Sequence, residues 1–521
     1  MRHFTRLIAC LSCAFLLTSI TYAQNLYETQ ISVDGRLRIS DVQVAADGHI
    51  YLSGAILPPM GFDSSQAVLI KLDSTLNTQW IKRYRATRLD DFAAITQLQD
   101  GNLLLTGAIR GFGSFSGGSA YKIDTAGNVL WNRLYEESRD DRIIRAFEQS
   151  NGNLLFIDRK GVTDNPTKLL NTNATGELSN VRAYEDINSN GLVIDVTEEG
   201  ANGQYYLMGD RRGMSISLRT FILLTITESQ LVSSLQYDYQ RSGFVSDMIF
   251  HEGFIYIVGA LVDPTTTIST NNAFMAKLTA DGQMVWQREF YETAIKDEFF
   301  SAISPTSSTE FVVSGISREI GDTTRSLLAK IDSSGQLIWS NTYSRFFDQR
   351  LGNVQPLRDG RLLLTGETTP DAWLLITNSQ GKGVCSGRPV VLNDSAITAT
   401  MDTLIYSDNP NMVNNDTIAH HNIDLVFQQN DVCIISSVKA GSDDRFGITV
   451  YPNPVTDLIS IQWEQMPRNA VRMKLRNAQG QALFSQQGIA DELDISRLPT
   501  GLYFLEIEAD GQAYHWKLVK R

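Results

Sequence analysis

Histidine and cysteine are scarce in this 521-residue chain, at six and four. Cys10 and Cys13 fall within the first 23 residues, which leaves Cys385 and Cys433 as the only cysteines beyond them. Between residues 25 and 384 the only histidines are His49 and His251, each beside a turn in a different copy of a repeat, so they cannot both serve one site. A Ser-His-Asp or Cys-His arrangement therefore has little to stand on, and a metal site built from histidine has none. Beyond residue 20 no stretch approaches the roughly 18 consecutive apolar residues of a membrane-spanning helix. Positive charge is also short. The 45 Lys and Arg face 58 Asp and Glu, a net charge of -13, which argues against nucleic acid and anionic membrane surfaces as partners.

What the chain does have is order. Arg2 and Arg6 precede a mostly apolar run over 7–20, and Thr21-Tyr22-Ala23 offers a small-residue cleavage site. Residues 1–23 therefore read as a secretory signal peptide, too short to span a membrane. A lipoprotein reading of Leu7-Ile8-Ala9-Cys10 would leave almost no apolar core ahead of the cysteine. After it comes a repeat, best seen over 100–135: Asp100-Gly101-Asn102 feeds Leu103-Leu104-Leu105-Thr106-Gly107, and a turn at Asp124-Thr125-Ala126-Gly127 separates two further apolar runs. Each half is a hairpin signal, with Asp bonding backbone amides and Gly supplying positive φ.

The residue that ends the apolar run recurs at Gly54, Gly107, Asp158, Gly209, Gly259, Gly315 and Gly366, at intervals near 50 residues. About four short strands per period is the mark of a radial β-propeller, because one four-stranded sheet cannot bury both faces alone. Residues 24–384 are thus expected to form a seven-bladed β-propeller, in an all-β chain. Trp80, Trp131, Trp286 and Trp339 share one position of the last strand, where a large flat side chain fills the wedge between blades. The seventh copy lacks an aromatic fourth strand after 373–377, whereas 25–31 has no first three strands before it. The strand 25–31 is expected to complete the last blade and close the ring, leaving no unpaired edge there.

Residues 385–435 are polar, with short β-prone runs, and read as a β-rich connector packed under the last blade. Residues 436–447 have the composition of a linker. Alternating runs over 448–521, with turns at Asn477-Ala478-Gln479-Gly480 and Asp510-Gly511, predict a small β-sandwich. Export to an oxidising space makes a Cys385–Cys433 disulfide an expectation, against two buried thiols.

Carboxylates offer the most chemistry. Asp90, Asp91, Asp140, Asp141, Asp297, Glu298 and Asp348 all precede an innermost strand, and in a propeller such positions converge towards one mouth of the channel. They could hold a cation or act as an acid/base pair. The alternative is pairing between blades with Arg110, Arg159, Lys160, Arg211, Arg212 and Arg318, which follow second strands at nearly the same offset. The same loops expose Phe62, Phe112 and Phe115, and with Arg110, Arg211 and Arg212 these form a candidate surface for an extracellular glycan or a surface protein.

Two resemblances follow from these motifs. The Asp, turn Gly and Trp of the last hairpin resemble the tryptophan-docking repeats of quinoprotein propellers. With no adjacent cysteines and no cofactor-site cluster, neither a quinone nor any other cofactor or metal is expected. Tyr451-Pro452-Asn453-Pro454, the stretch Leu498-Pro499-Thr500-Gly501-Leu502-Tyr503 and the basic end Lys517-Leu518-Val519-Lys520 resemble the C-terminal sorting domain of type IX secretion in Bacteroidetes. That resemblance implies recognition by the type IX machinery, with Pro452, Asn453, Pro454, Gly501 and Tyr503 on its motif, and a protein secreted or held at the outer surface after passage through the periplasm. The sequence reading is then an exported propeller that binds rather than catalyses. Its alternatives are a carbohydrate-active or other hydrolytic propeller using the acidic rim, and a structural spacer.

Overall fold

The computed structural model describes residues 26–520 except 59–63, 86–88, 111–115, 137–140, 160–166, 187–191, 212–219, 264–269, 293–295, 320–323, 344–348, 369–370, 384–386, 404–405, 411–413, 417–420, 425–427, 435–447, 452–454, 464–466, 468–470, 478–480 and 510–511. The described residues are all β, with no helix, and the fold is propeller-like. Seven antiparallel sheets of five strands occupy the first 434 residues. They are numbered here by their innermost strands: Arg36–Val44 (sheet 1), Leu89–Gln97 (2), Arg142–Glu148 (3), Leu192–Glu199 (4), Gly243–His251 (5), Lys296–Pro305 (6) and Gln349–Pro356 (7).

What joins the sheets is apolar. Seven hydrophobic clusters each draw buried side chains from two neighbouring sheets, and the last joins sheet 7 (Leu363, Ala372, Leu374, Ile376) back to sheet 1 (Leu37, Ile50, Val68, Ile81). Each sheet thus buries both faces against its neighbours, which a free four-stranded sheet cannot do. The strand Tyr27–Ser32 pairs with Asp371–Thr377 in sheet 7, Tyr27 opposite Ile376. Trp373, fully buried there, donates its indole N–H to Glu28 Oε1 at 3.0 Å.

The repeated glycine has a steric cause. In every sheet the register between the first two strands slips by one residue, at Ile39/Asp41, Phe92/Ala94, Ile143/Arg145, Ile194/Val196, Val245/Asp247, Phe300/Ala302 and Leu351/Asn353. This is a β-bulge, two residues opposing one. A Cβ at Gly107 would lie 2.0 Å from the Asp91 carbonyl oxygen, and Gly54, Gly209, Gly259 and Gly315 face the same obstruction. At the other end of the four sheets that carry one in the fourth strand, the tryptophan lies against the next sheet's turn: a Cβ on Gly127 would come within 3.1 Å of the Trp80 ring, and one on Gly176 within 2.9 Å of Trp131. A tyrosine latch accompanies them, with Tyr84, Tyr135 and Tyr237 donating to the carbonyls of Gly127, Gly176 and Gly282 at 2.9, 2.7 and 2.6 Å, and Tyr343 to that of Gly381.

The connector differs from the expectation that it packs under the last blade. Its strands are distributed one to a sheet, in reverse order: Gly387–Pro389 on sheet 6, Asn393–Ala396 on 5, Thr400–Thr403 on 4, Tyr406–Pro410 on 3, Asn414–Asp416 on 2, His421–Asp424 on 1 and Gln428–Ile434 on 7. The physical reason is that a fourth strand is an unpaired edge on each sheet, and this segment covers each one in turn. After it, a three-stranded and a four-stranded sheet over 449–520 share one hydrophobic core that includes Val450, Ile459, Met473, Leu475, Leu505 and Ile507.

Candidate functional site: the central channel

The innermost strands surround a cavity of about 680 Å³. All seven residues that follow the bulges line it: Asp41, Ala94, Arg145, Val196, Asp247, Ala302 and Asn353. The inner edge of a first strand has no sheet partner, so its outward amides need other acceptors. Asp41 accepts the Val42 amide at 2.8 Å and, across the seam, the Ile95 amide of sheet 2 at 3.0 Å. Asp247 repeats this arrangement, accepting from Met248 at 2.8 Å and from Ile303 of sheet 6 at 2.9 Å. Other seams use Thr96 to the Ala146 carbonyl, Arg159 to Asp195 at 3.2 Å, Ser304 to the Val354 carbonyl at 2.8 Å, and Asn353 to the Ser40 carbonyl.

Charge in the channel centres on Arg145. Its guanidinium lies 3.3 Å from Asp41 and also feels Glu198 and Asp247. One cation cannot compensate three carboxylates taken out of bulk water. Burial, opposed by two backbone hydrogen bonds and Arg145, pushes Asp247 up to about 6. Burial likewise pushes Glu198 up to about 7, opposed by Arg145 and assisted by Asp247, and Asp41 is raised in the same direction. The side chains are ringed by protein yet face the water of the channel, the Arg145 side chain being 38% exposed, so these interactions are weaker than in a dry core. Ser40, Ser246, Ser301 and Gln355 add hydrogen-bonding groups to the wall, and no aromatic side chain lines it among the described residues.

None of the described rim carboxylates lines this cavity, although Arg142, which holds in sheet 3 the place of Asp91 in sheet 2, does. Asp91 sits between Arg38 of sheet 1 (3.7 Å) and Arg142 of sheet 3 (3.4 Å). Asp297 pairs with Arg318 at 2.7 Å and accepts from Asn271. Asp90, Asp141 and Glu298 are buried, at 2%, 0% and 1% exposure. Burial and the neighbouring Glu292 raise Glu298 to about 8, and Ser317 donates to Glu292 at 3.0 Å beside it. The structure therefore gathers Asp91 into an ion-pair chain across three sheets, and among the described residues no three acidic, histidine or cysteine side chains group as a metal site would require.

Arg110 ends the second strand of sheet 2 opposite Leu89, with its charge felt by Arg142. Phe62, Phe112, Phe115, Arg212, Asp140, Asp348, Pro452, Asn453, Pro454 and Cys385 lie outside the described residues, as do the side chains of Arg211 and Cys433. Gly501 opens a strand, and Tyr503, 4% exposed, donates its hydroxyl to the Pro499 carbonyl at 2.6 Å. Sequence reading missed Asp41, Arg145, Glu198 and Asp247. A bulge reverses which side of a strand faces inward, so their alternation with apolar neighbours gave no sign of a shared site.

Several solved structures are similar in fold. An ulvan lyase of a new polysaccharide lyase family is 8% identical with a TM-score of 0.43, over 68% of this chain and 96% of that one. Drosophila Semaphorin 1a is 8% identical with a TM-score of 0.41, over 68% and 88%. Hydrazine synthase of Kuenenia stuttgartiensis is 12% identical with a TM-score of 0.37, over 58% and 78%. At these values the likenesses say nothing of this chain's chemistry. No curated protein matches the chain. Residues 449–521 match the secretion system C-terminal sorting domain, which indicates export by type IX secretion to a secreted or cell-surface location.

Proposed function

We propose that the chain is a seven-bladed β-propeller followed by a β-sandwich sorting domain, exported from a member of the Bacteroidetes by an amino-terminal signal peptide and then the type IX machinery, and that it works as a binding module for an extracellular glycan or a surface protein. The observation that carries the binding reading is the fate of the rim carboxylates: Asp91 and Asp297 are held by arginines, and Asp90, Asp141 and Glu298 are buried. A glycan is recognised largely by stacking on aromatic faces. The channel wall offers none among the described residues, so the reading turns to Phe62, Phe112 and Phe115, with Arg110, Arg211 and Arg212, which the sequence places in segments after second strands. The purified chain is to be screened on a glycan array and against outer-surface proteins. Binding that persists in an Arg110→Ala, Phe112→Ala double variant sinks the loop assignment.

One observation favours a second, catalytic reading. Glu198, at about 7 beside Arg145, is suited to moving a proton near neutral pH. Turnover on a panel of polysaccharides, abolished by Glu198→Gln in a folded protein, would establish it. Cys385 precedes the first strand of the connector and Cys433 lies in its last, Gln428–Ile434, so a disulfide between them would tie the connector's start to its end.

A further inference from the structure

We propose that the belt over 387–434 is a clasp that locks the closure of the ring, its last strand holding the amino-terminal strand in place. Tyr27–Ser32 joins Asp371–Thr377 across a sequence separation exceeded among the described sheets only by its own pairing with Gln428–Ile434. Without the belt it would be the outermost strand of sheet 7, held on one edge only. Gln428–Ile434 covers its other edge from Ser32↔Gln428 to Tyr27↔Ile434, the whole length of the strand. Elsewhere the cover is partial: Gly387–Pro389 reaches only Asn341 to Tyr343, and Asn414–Asp416 only Leu134 to Glu136. The longest pairing is thus placed where the ring joins.

The order of the belt gives the device its direction. It starts on sheet 6, anchored by Leu392 in the cluster between sheets 5 and 6, by the Ser340 hydroxyl on the Val390 carbonyl at 2.6 Å, and by an Arg288–Asp394 ion pair. From there it passes sheets 5 to 1 before reaching sheet 7, so the strand that secures the closure is the last of the belt along the chain. Its Asn-, Asp- and Thr-rich strands leave a polar outer edge, which discourages a further strand from adding. Closure of the ring then depends on the segment that immediately precedes the sorting domain.

Hydrogen exchange read by mass spectrometry tests this on the full chain. In low, sub-denaturing urea the amides of Tyr27–Ser32 and Gln428–Ile434 are expected to become exchangeable together, at a lower concentration than the inner strands Arg36–Val44 and Gly243–His251. Replacing Gln428–Ile434 by a Gly/Ser segment of equal length should speed exchange of Tyr27–Ser32 at least about tenfold. A chain ending at Ile434, without the sorting domain, should leave that exchange unchanged. If Tyr27–Ser32 keeps its protection in the replaced variant, or opens in the unaltered chain separately from Gln428–Ile434, the clasp is refuted. The unaltered-chain measurement decides even if the replaced variant does not fold.

Discussion

Replacing Arg145 by Met removes the one cation shared by Asp41, Glu198 and Asp247 while keeping a long stem in the channel. Breaking a fully buried pair costs about 3–5 kcal/mol, but Arg145 is 38% exposed to channel water, so a loss of about 1–2 kcal/mol at pH 8 is expected. The pH dependence is more telling than the size. Glu198 and Asp247, at about 7 and about 6, bind protons more tightly folded than unfolded, so their contribution to stability falls as pH rises from near 4 through 7. At pH 5 both are mostly protonated and scarcely need Arg145; at pH 8 both are charged. The Arg145→Met loss should therefore exceed its pH 5 value by about 1 kcal/mol at pH 8, read from urea midpoints at the two pH values. An equal loss at both, or a larger one at pH 5, would refute the claim that these carboxylates share the guanidinium.

Other outcomes follow from the sheets themselves. Gly107→Ala should cost about 3 kcal/mol or more, because its Cβ meets the Asp91 carbonyl oxygen at 2.0 Å, whereas Gly101→Ala, with φ of 82° and open space around it, should cost about 1 kcal/mol, both measured by urea midpoint. Tyr135→Phe leaves the Gly176 carbonyl without its buried donor and should cost about 1 kcal/mol, with faster amide exchange at the seam between sheets 2 and 3. Non-reducing peptide mapping should recover a peptide linked through Cys385 and Cys433. Closing a loop of roughly 50 residues would stabilise the chain by up to about 4 kcal/mol on a chain-entropy account, lost on reduction.

How much of this could be read in advance depended on whether a residue's partner is fixed locally. The hairpins and their glycines were legible because each glycine answers a carbonyl on the adjacent strand of its own sheet, as Gly107 answers Asp91. The tryptophan positions were legible for a similar reason, since Trp80 and Gly127 hold the same places in successive copies. The belt was not. Stretches such as Asn414-Asn415-Asp416 carry no sign of which sheet they join, because their strand character comes from an edge roughly 280 residues away, and β-propensity measures the fit to such a surface rather than the backbone alone. The bond between Trp373 and Glu28 was not read, because Trp373 occupies a third strand, outside the repeated tryptophan position, and Glu28 lies on the strand that arrives from the other end of the chain.

Within the channel the three carboxylates are not equivalent, and the difference says where to look for function. Asp41 and Asp247 each accept two backbone amides, one on the adjoining sheet. A short carboxylate offers two acceptor oxygens for that task and Asn only one, so the fold itself accounts for aspartate at both places. Glu198 accepts a single backbone amide, from Phe250, which a Gln oxygen could equally take. Its charge is therefore not demanded by the architecture and is opposed by burial. Glu198→Gln should leave the chain as stable at pH 5 and, once the charge next to Asp247 is gone, about 1 kcal/mol more stable at pH 8. A charge kept against that gradient is the expected signature of a working group, so a Glu198→Gln chain that loses stability at pH 8 would return Glu198 to the scaffold and with it the case for chemistry in the channel.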